Sequence, residues 1–445
     1  MYRDLTKGSI AKNLILFALP MIAGNLMQQL YNIADTLIVG RALGKDALAA
    51  VGSAYTLMTF ITSIFIGLSM GAGALFSVYF GKEDDRSLKS ATVHAFFLIM
   101  SVTVVLNVVT FAFVDEIISF LQIPEELCSS IKDYLIIIFV GIIATSLYNF
   151  FTCLLRAVGN STVPLYFLAV SAVLNIVLDL LFVLKFNFGI KGAAAATVIA
   201  QYVSGVGILL YYLLKCKRFL PSKEHFRFNS QILKEIFNMS FMTCAQQSAM
   251  NFGILLVQRL VDSFGAVTMA AFAAAVKIDT FAYLPVQDFG NAYSTFVAQN
   301  YGAGKIDRLR DGMKKATLLT IVFSAVVSAL VFIFAKPLMM IFVKKSEVEV
   351  LASGVRYLRI EGVFYIGIGC LFLLYGFYRA VKRPGMSLIL TIISLGLRVA
   401  LAYAFAPIFG EVGIWIAIPI GWFLADATGY GYYFAKRGKL LNGRL

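Results

Sequence analysis

Apolar runs of more than twenty residues, each bounded by charge, Gly or Pro, recur along the chain near 13–39, 48–80, 91–114, 131–155, 163–184, 192–214, 236–261, 268–300, 316–343, 351–378, 386–406 and 412–434. A helix of about twenty apolar residues crosses the ~30 Å hydrocarbon core of a bilayer. Strands of a porin-like barrel would instead alternate polar and apolar positions. With 60% hydrophobic and 14% charged among 445 residues, the chain is too apolar for a water-soluble fold and leaves no room for a large soluble domain. It reads as an all-α polytopic membrane protein with twelve transmembrane helices. The polar stretch Met1 to Lys12 leads into a long span without a small-residue cleavage site, so a removable signal peptide is not expected.

The net charge of +14 reports topology once the charges are sorted by loop. The side that holds both termini carries 25 Lys and Arg residues and the opposite loops carry 7. By the positive-inside rule both termini are expected in the cytoplasm, with the protein in the cell membrane. The basic residues lie in short loops without a folded basic face or recognition motif, so no nucleic-acid partner is expected. Five cysteines stand far apart without a C-x-x-C, and two histidines, His94 and His225, cannot build a zinc cluster. No cofactor is expected. The most basic connection, 215–235, sits mid-chain and reads as a cytoplasmic linker drawn to anionic headgroups. It divides an N-lobe, 1–214, from a C-lobe, 236–445.

The halves resemble each other. A shift of 221 aligns Gly44, Ala49, Ala50, Ala54, Thr59, Phe60, Gly81 and Leu88 with Gly265, Ala270, Ala271, Ala275, Thr280, Phe281, Gly302 and Leu309. A shift of 223 aligns Tyr134-Leu135 with Tyr357-Leu358 and Arg156-Ala157-Val158 with Arg379-Ala380-Val381, and 221 again aligns Gly189 and Gly192 with Gly410 and Gly413. Such an ordered series points to duplication. Six spans per copy give both copies one orientation, the arrangement of two pseudo-symmetric transporter lobes around a shared cavity.

Ionisable residues within spans are costly, roughly 2.5–3.5 kcal/mol at the bilayer centre on insertion scales, and usually mark an ion or substrate path. In span one, Asn25, Gln28, Asn32 and Asp35 recur at helical spacing as one polar stripe. In span five, Asn175 and Asp179 share a face. With the Thr197 hydroxyl of span six, Asp35, Asn175 and Asp179 are candidates for a cation site, because carboxylate, amide and hydroxyl oxygens are the hard ligands that Na⁺ needs and a carboxylate also carries a proton. The repeat mates of Asp35, Asn175 and Thr197 are Leu256, Arg398 and Ile418, and that of Asp179 is Ala400 or Ala402, so the lobes are chemically unequal. The C-lobe holds Lys277, Asp279, Asp288, Glu361, Arg398 and Asp426, for which internal ion pairing is the default expectation. Asn25, Gln28, Asn32, Gln246, Gln247 and Asp288 are candidates for a substrate cavity. Pro20 and Pro285 are candidate kink sites, and Gly67, Gly71 and Gly73 allow close helix approach.

Several of these segments carry a resemblance. Leu19-Pro20, Gln28-Gln29-Leu30-Tyr31-Asn32-Ile33-Ala34-Asp35-Thr36 with Val39-Gly40, Leu155-Arg156-Ala157-Val158-Gly159-Asn160-Ser161, Leu174-Asn175-Ile176-Val177-Leu178-Asp179 and Ala298-Gln299-Asn300-Tyr301-Gly302-Ala303-Gly304 together resemble a multidrug and toxic compound extrusion (MATE) transporter over nearly the whole chain. The resemblance implies two six-helix lobes that export small organic, often cationic, compounds in exchange for Na⁺ or H⁺ by alternating access. In one branch the coupling cation is held in the N-lobe by residues matching Asp35, Asn175, Asp179 and Thr197. Another branch is known for C-lobe acids, one of them on span seven, where this chain has Gln246 and Gln247 and no acid before Asp262. A monomer with lipid and small-molecule partners is expected. A flippase for lipid-linked precursors ranks second, because it would want a strongly basic cavity. A membrane-embedded transferase ranks third, since the only Asp-Asp pair, Asp84-Asp85, lacks a partner motif.

Overall fold

The computed structural model describes residues 3–120 and 125–441, which are helical with no strand among them. Nine helices are each long and apolar enough to cross a membrane: Ile10–Gly44, Ala50–Gly81, Asp85–Ala112, Thr162–Lys185, Gly189–Lys215, Ala266–Gly302, Ile306–Met339, Pro384–Phe409 and Glu411–Leu441, among the described residues. Two further crossings are bent pairs, Cys128–Val140 with Ile142–Ala157 at 41° and Val348–Gly362 with Tyr365–Ala380 at 52°. The remaining expected crossing, span seven, is Ser230–Asp262, whose 33 residues are ample in length. Asn238, Ser240, Thr243, Gln246, Gln247, Ser248 and Asn251 make it the most polar of the spans. Pro20 lies inside the first helix, and Gly44 (φ 85°, ψ −172°) is where dihedrals leave the helical range between spans one and two. Pro285 likewise lies inside the continuous helix Ala266–Gly302.

The chain forms two compact units. The N-lobe contains Ala23–Cys244, and the C-lobe contains Asp4–Ile22 together with the chain from Ala245 onward. The division thus runs through spans one and seven. Each of these helices gives its early turns to one unit and its later turns to the other.

In the N-lobe, one apolar cluster gathers Leu75, Phe76, Phe150, Phe151 and Leu154 with Ile208, and a second gathers Val39, Phe65, Ile131, Leu135, Phe139 and Val198. Gly67 and Gly71 explain how span seven seats here. A Cβ on Gly67 would stand 2.5 Å from the Cys244 Cα, and one on Gly71 would collide with the Met239 carbonyl. The absence of side chains lets the two backbones touch, as small-residue interfaces in membranes do. In the C-lobe, Trp415 stacks on Phe272 at 5.4 Å and meets the edge of Tyr357 at 4.8 Å. A buried wall of this kind adds ~0.5–1.5 kcal/mol per aromatic pair beyond area.

The duplication is plainer in the backbone than in the sequence. Left-handed residues occur in register: Gly44 (φ 85°) with Gly265 (93°), Glu83 (58°) with Gly304 (68°), Gly159 (86°) with Lys382 (60°), and Gly189 (60°) with Gly410 (61°). The bonds that accompany them repeat as well. Asp84 N–H reaches the Tyr79 carbonyl at 3.1 Å as Lys305 N–H reaches Asn300 at 2.9 Å, and Asn160 N–H reaches Leu155 as Arg383 N–H reaches Tyr378, both at 2.8 Å. These are Schellman closures, in which a left-handed residue turns the chain and satisfies the last helical carbonyls.

The connection 215–235 is more than a solvated linker. Tyr212 Oη donates to the Phe219 carbonyl at 2.8 Å, the Ser222 hydroxyl sits 2.8 Å from His225 Nδ1, and the Asn229 N–H donates to His94 Nε2 at 3.0 Å. Phe219 and His225 are buried. Both histidines are thereby structural groups of the N-lobe. The Asp-Asp pair is structural too: Asp84 caps the third span by accepting from the Ser87 N–H at 2.9 Å, and Asp85 pairs with Arg218 at 3.0 Å.

Candidate cation site

Asp179 closes the α-helical part of span five, Thr162–Asp179, directly before a π-helical turn, Leu180–Lys185. Such turns widen a helix and often accompany functional sites. Asn175 lies one turn earlier on the same face, and both residues are buried, Asp179 completely. Asp35 comes from the later part of span one, and its carboxyl lies close enough to Asp179 for the two to interact electrostatically. The sequence-predicted acids therefore meet inside the N-lobe. Asn175 Nδ2 donates to Thr197 Oγ1 at 3.3 Å, which turns the amide oxygen the other way. Tyr134 of span four is in electrostatic reach of both acids.

Four oxygens of this group, Asp35 Oδ1, Asn175 Oδ1, Asp179 Oδ1 and Asp179 Oδ2, are buried without a donor among the described residues. Two adjacent carboxylates in a low-dielectric setting repel each other unless a proton or a cation stands between them. A set of two carboxylates, an amide oxygen and a hydroxyl fits Na⁺ or H⁺. It falls short of the larger acid, His or Cys clusters that hold multivalent metals, and among the described residues no group of three or more such side chains gathers anywhere.

Of the other residues singled out from the stripe in span one, Asn25 and Asn32 are half-buried and Gln28 is exposed. In the C-lobe, Gln246 and Asp288 are buried and Gln247 is half-buried. For Lys277, Asp279, Glu361, Arg398 and Asp426 the expected direct ion pairs do not form among the described residues. Lys277 is exposed and lies over the Phe342 ring at 5.8 Å, and among the described residues no direct ion pair joins Asp279, Glu361, Arg398 or Asp426 to a partner of opposite sign. At Asp279 tyrosines take that role instead. Tyr357 Oη donates to Asp279 Oδ2 at 2.6 Å, and the Tyr365 hydroxyl donates to Oδ1. Hydroxyl donors satisfy a buried carboxylate directly, with no charged group in contact with it.

Two features went unread in the sequence. The Ala298–Gly304 segment anchors the N-terminal residues within the C-lobe: Gln299 Oε1 accepts from the Leu5 N–H at 3.1 Å, and Asn300 Nδ2 donates to the Leu5 carbonyl at 3.2 Å. Lys305 and Arg308 continue the clasp, donating to the Thr6 and Gly8 carbonyls, each at 2.8 Å. Glu411 accepts from Ser353 at 2.8 Å and Thr268 at 3.0 Å, and pairs with Arg356 at 3.5 Å. Both involve contacts more than fifty residues apart in sequence, for which no local pattern exists.

The sequence profile of the MatE family matches residues 20–181 and 239–404, once in each half and over most of the chain. The chain belongs to the MatE family. Among its relatives is the probable multidrug resistance protein YpnP of Bacillus subtilis (strain 168), 29% identical over 99% of this chain and 98% of that one. The probable multidrug resistance protein NorM of Thermotoga maritima is 27% identical over 92% of this chain and 89% of its own length. Solved MATE structures share the fold: one in complex with MaL6 superposes with a TM-score of 0.92 at 24% identity, covering 98% of both chains. An outward-facing multidrug resistance MATE family transporter gives 0.92 at 23%. Membership makes this chain a multi-span membrane transporter of the multidrug-efflux kind, with the twelve-helix MATE fold.

Proposed function

We propose that this MatE member is a secondary antiporter of the cell membrane that exports small organic, often cationic, compounds in exchange for Na⁺ or H⁺ by alternating access, with both termini in the cytoplasm. The observation that carries the reading is the meeting of Asp35 and Asp179 with four buried oxygens that lack donors. Relatives named as multidrug resistance proteins supply the substrate class.

Asp35 lies nine residues before Gly44, so ~14 Å of helix separates it from the span end opposite the termini, and Asp179 is separated from its span end by the single π-helical turn Leu180–Lys185. A cation entering from that side reaches the site early. Moving it on inward contributes about 2.3 kcal/mol per charge per 100 mV. Thr197 orients the Asn175 amide, and the two carboxylates supply the charge. Coupling requires that cation and drug favour opposite states of the protein, since a ligand shifts a conformational equilibrium only by its differential affinity. Asn25, Gln28, Asn32, Gln246, Gln247 and Asp288 are the proposed polar contacts for substrate, beside the apolar, aromatic and Met side chains that a promiscuous site needs.

Dye efflux from proteoliposomes, with Na⁺ and pH gradients imposed separately, tests the reading. Wild-type protein is expected to respond to one gradient and Asp35→Asn to neither. Full gradient-driven efflux by Asp35→Asn would remove Asp35 from the coupling site.

A further inference from the structure

Register between the lobes is fixed closely around the cation site. Ser171 Oγ donates to the Ala200 carbonyl at 2.8 Å where spans five and six pack. At the matching place in the C-lobe, a Cβ on Gly421 would run into the Ser394 carbonyl and come within 3.3 Å of the Arg398 Cβ. Ser171 and Ser394 differ by 223 and Ala200 and Gly421 by 221, the shifts that the sequence repeat requires. Asn175 and Arg398, one turn further along, are therefore counterparts. Tyr134 and Tyr357 are counterparts as well, and each lies in electrostatic reach of two acids, Asp35 and Asp179 in one lobe and Asp279, to which Tyr357 donates, and Glu361 in the other.

The acids do not correspond by position. They come from spans one and five in the N-lobe and from spans eight and ten in the C-lobe. What corresponds is a buried pair of carboxylates beside the same tyrosine, with span five or span eleven supplying the group next to it. In the N-lobe that group is a neutral amide. In the C-lobe it is the Arg398 guanidinium, buried, with its charge felt by both Asp279 and Glu361. Glu361 Oε2 and Arg398 Nε are both buried without a hydrogen-bond partner among the described residues.

We propose that Arg398 is a built-in cation: it occupies, in the C-lobe twin of the coupling site, the electrostatic place that the exchanged ion takes in the N-lobe, and so restricts cation exchange to one site per chain. A guanidinium is never deprotonated in a protein and cannot leave. The C-lobe acids keep one fixed positive charge near them at every stage of a cycle, whereas the N-lobe pair must acquire and release its counter-charge. Only the comparison with the N-lobe rests on the function proposed above; the placement of Arg398 beside the second acid pair does not.

Counting cations bound at equilibrium tests this on purified protein, with radioactive Na⁺ for sodium and a pH-electrode titration for protons. Four proteins are compared: wild type, Asp35→Asn, Arg398→Asn, and Arg398→Asn combined with Asp35→Asn. Replacing Arg398 by the residue of its N-lobe counterpart is expected to add one cation, Na⁺ or H⁺, on either background, doubling the count on the wild-type background. Arg398→Lys keeps the fixed charge and is expected to add none. No added cation in Arg398→Asn, or an added one in Arg398→Lys, overturns the proposal. Equal counts in wild type and Asp35→Asn would instead reject the N-lobe site, while the effect of Arg398→Asn still reads the inference. If Arg398→Asn does not yield monodisperse protein, the reciprocal Asn175→Arg serves: it is expected to lose the N-lobe cation, and unchanged uptake overturns the idea.

Discussion

The two lobes share a backbone and differ in what they do with buried charge. Bends in spans four and ten, left-handed residues at four matched positions and Schellman bonds at two of them recur from one copy to the other. Such features follow from local sterics, which any sequence compatible with the turn reproduces. The polar interiors are not constrained in that way. Asp179 has no donor on either oxygen, while Asp279 takes hydroxyls from Tyr357 and Tyr365. The contrast separates a carboxylate that the fold leaves without a donor from one whose donors are built in. Under the proposed function, the carboxylate left with no donor on either oxygen is the one that takes the exchanged ion.

The sharpest way to break that contrast is to neutralise one acid in each lobe. Asp179→Asn is expected to lower gradient-driven dye efflux by at least about tenfold, equivalent to ~1.4 kcal/mol or more of lost coupling. Glu361→Gln is expected to stay within about twofold of wild type once efflux is normalised to folded protein, because ~0.4 kcal/mol is all that a pair with the fixed Arg398 charge near it should transmit. Equal losses in both variants would erase the distinction.

The next comparison is of close packing within each lobe. A Cβ on Gly71 meets the Met239 carbonyl, and one on Gly376 stands 2.5 Å from the Gly290 carbonyl, so in either lobe a backbone must move. Overpacking of this kind costs ~1–3 kcal/mol. Gly71→Ala and Gly376→Ala should each lower the midpoint of thermal unfolding, whereas Gly385→Ala, with nothing within 4 Å, should not. A lobe whose glycine tolerates alanine would be the looser of the two.

Much of this was legible beforehand. Hydrophobic run lengths gave the crossings, and the spacing of Asn175 and Asp179 on one helical face, with Asp35 at the end of another stripe, gave the acids that meet. Span seven was legible as a crossing although Gln246, Gln247 and Asn251 dilute its apolar character. The division of spans one and seven between the lobes was not legible, because helix periodicity says nothing about which neighbour a helix packs against. Nor was the fate of the C-lobe charges. Ion pairing is the natural expectation when acids and bases share a membrane, but Asp279 takes its direct bonds from hydroxyls, that of Tyr357 lying 78 residues away, while Arg398 acts on it only through its field. Linear sequence does not reveal that choice.

That choice gives a smaller, stability-level test. Tyr357→Phe leaves Asp279 Oδ2 without its donor and is expected to cost ~1–3 kcal/mol, read as a lower unfolding midpoint. Its counterpart Tyr134 makes no hydrogen bond to Asp35 or Asp179 among the described residues, so Tyr134→Phe should cost clearly less. If the two substitutions cost the same, the tyrosine hydroxyl is not what distinguishes the C-lobe pair.

The smallest expected effect tests the shared backbone itself. At two of the matched caps one lobe uses glycine and the other does not: Glu83 stands opposite Gly304, and Lys382 opposite Gly159. A side chain in the left-handed region costs roughly 1–2 kcal/mol, offset partly by the greater freedom that glycine has in the unfolded chain. Glu83→Gly and Lys382→Gly are therefore each expected to stabilise by up to ~1 kcal/mol, a small rise in unfolding midpoint. The reverse substitution is not equivalent. A Cβ on Gly159 would collide with the Arg3 carbonyl, whose residue also donates its N–H to the Gly159 carbonyl at 3.0 Å, so Gly159→Ala should destabilise for a packing reason absent at Lys382. The same turn would then be sterically closed in one lobe and merely strained in the other. Glycine at both caps with no change in midpoint would mean that the left-handed cost is already relieved by the surrounding helix ends.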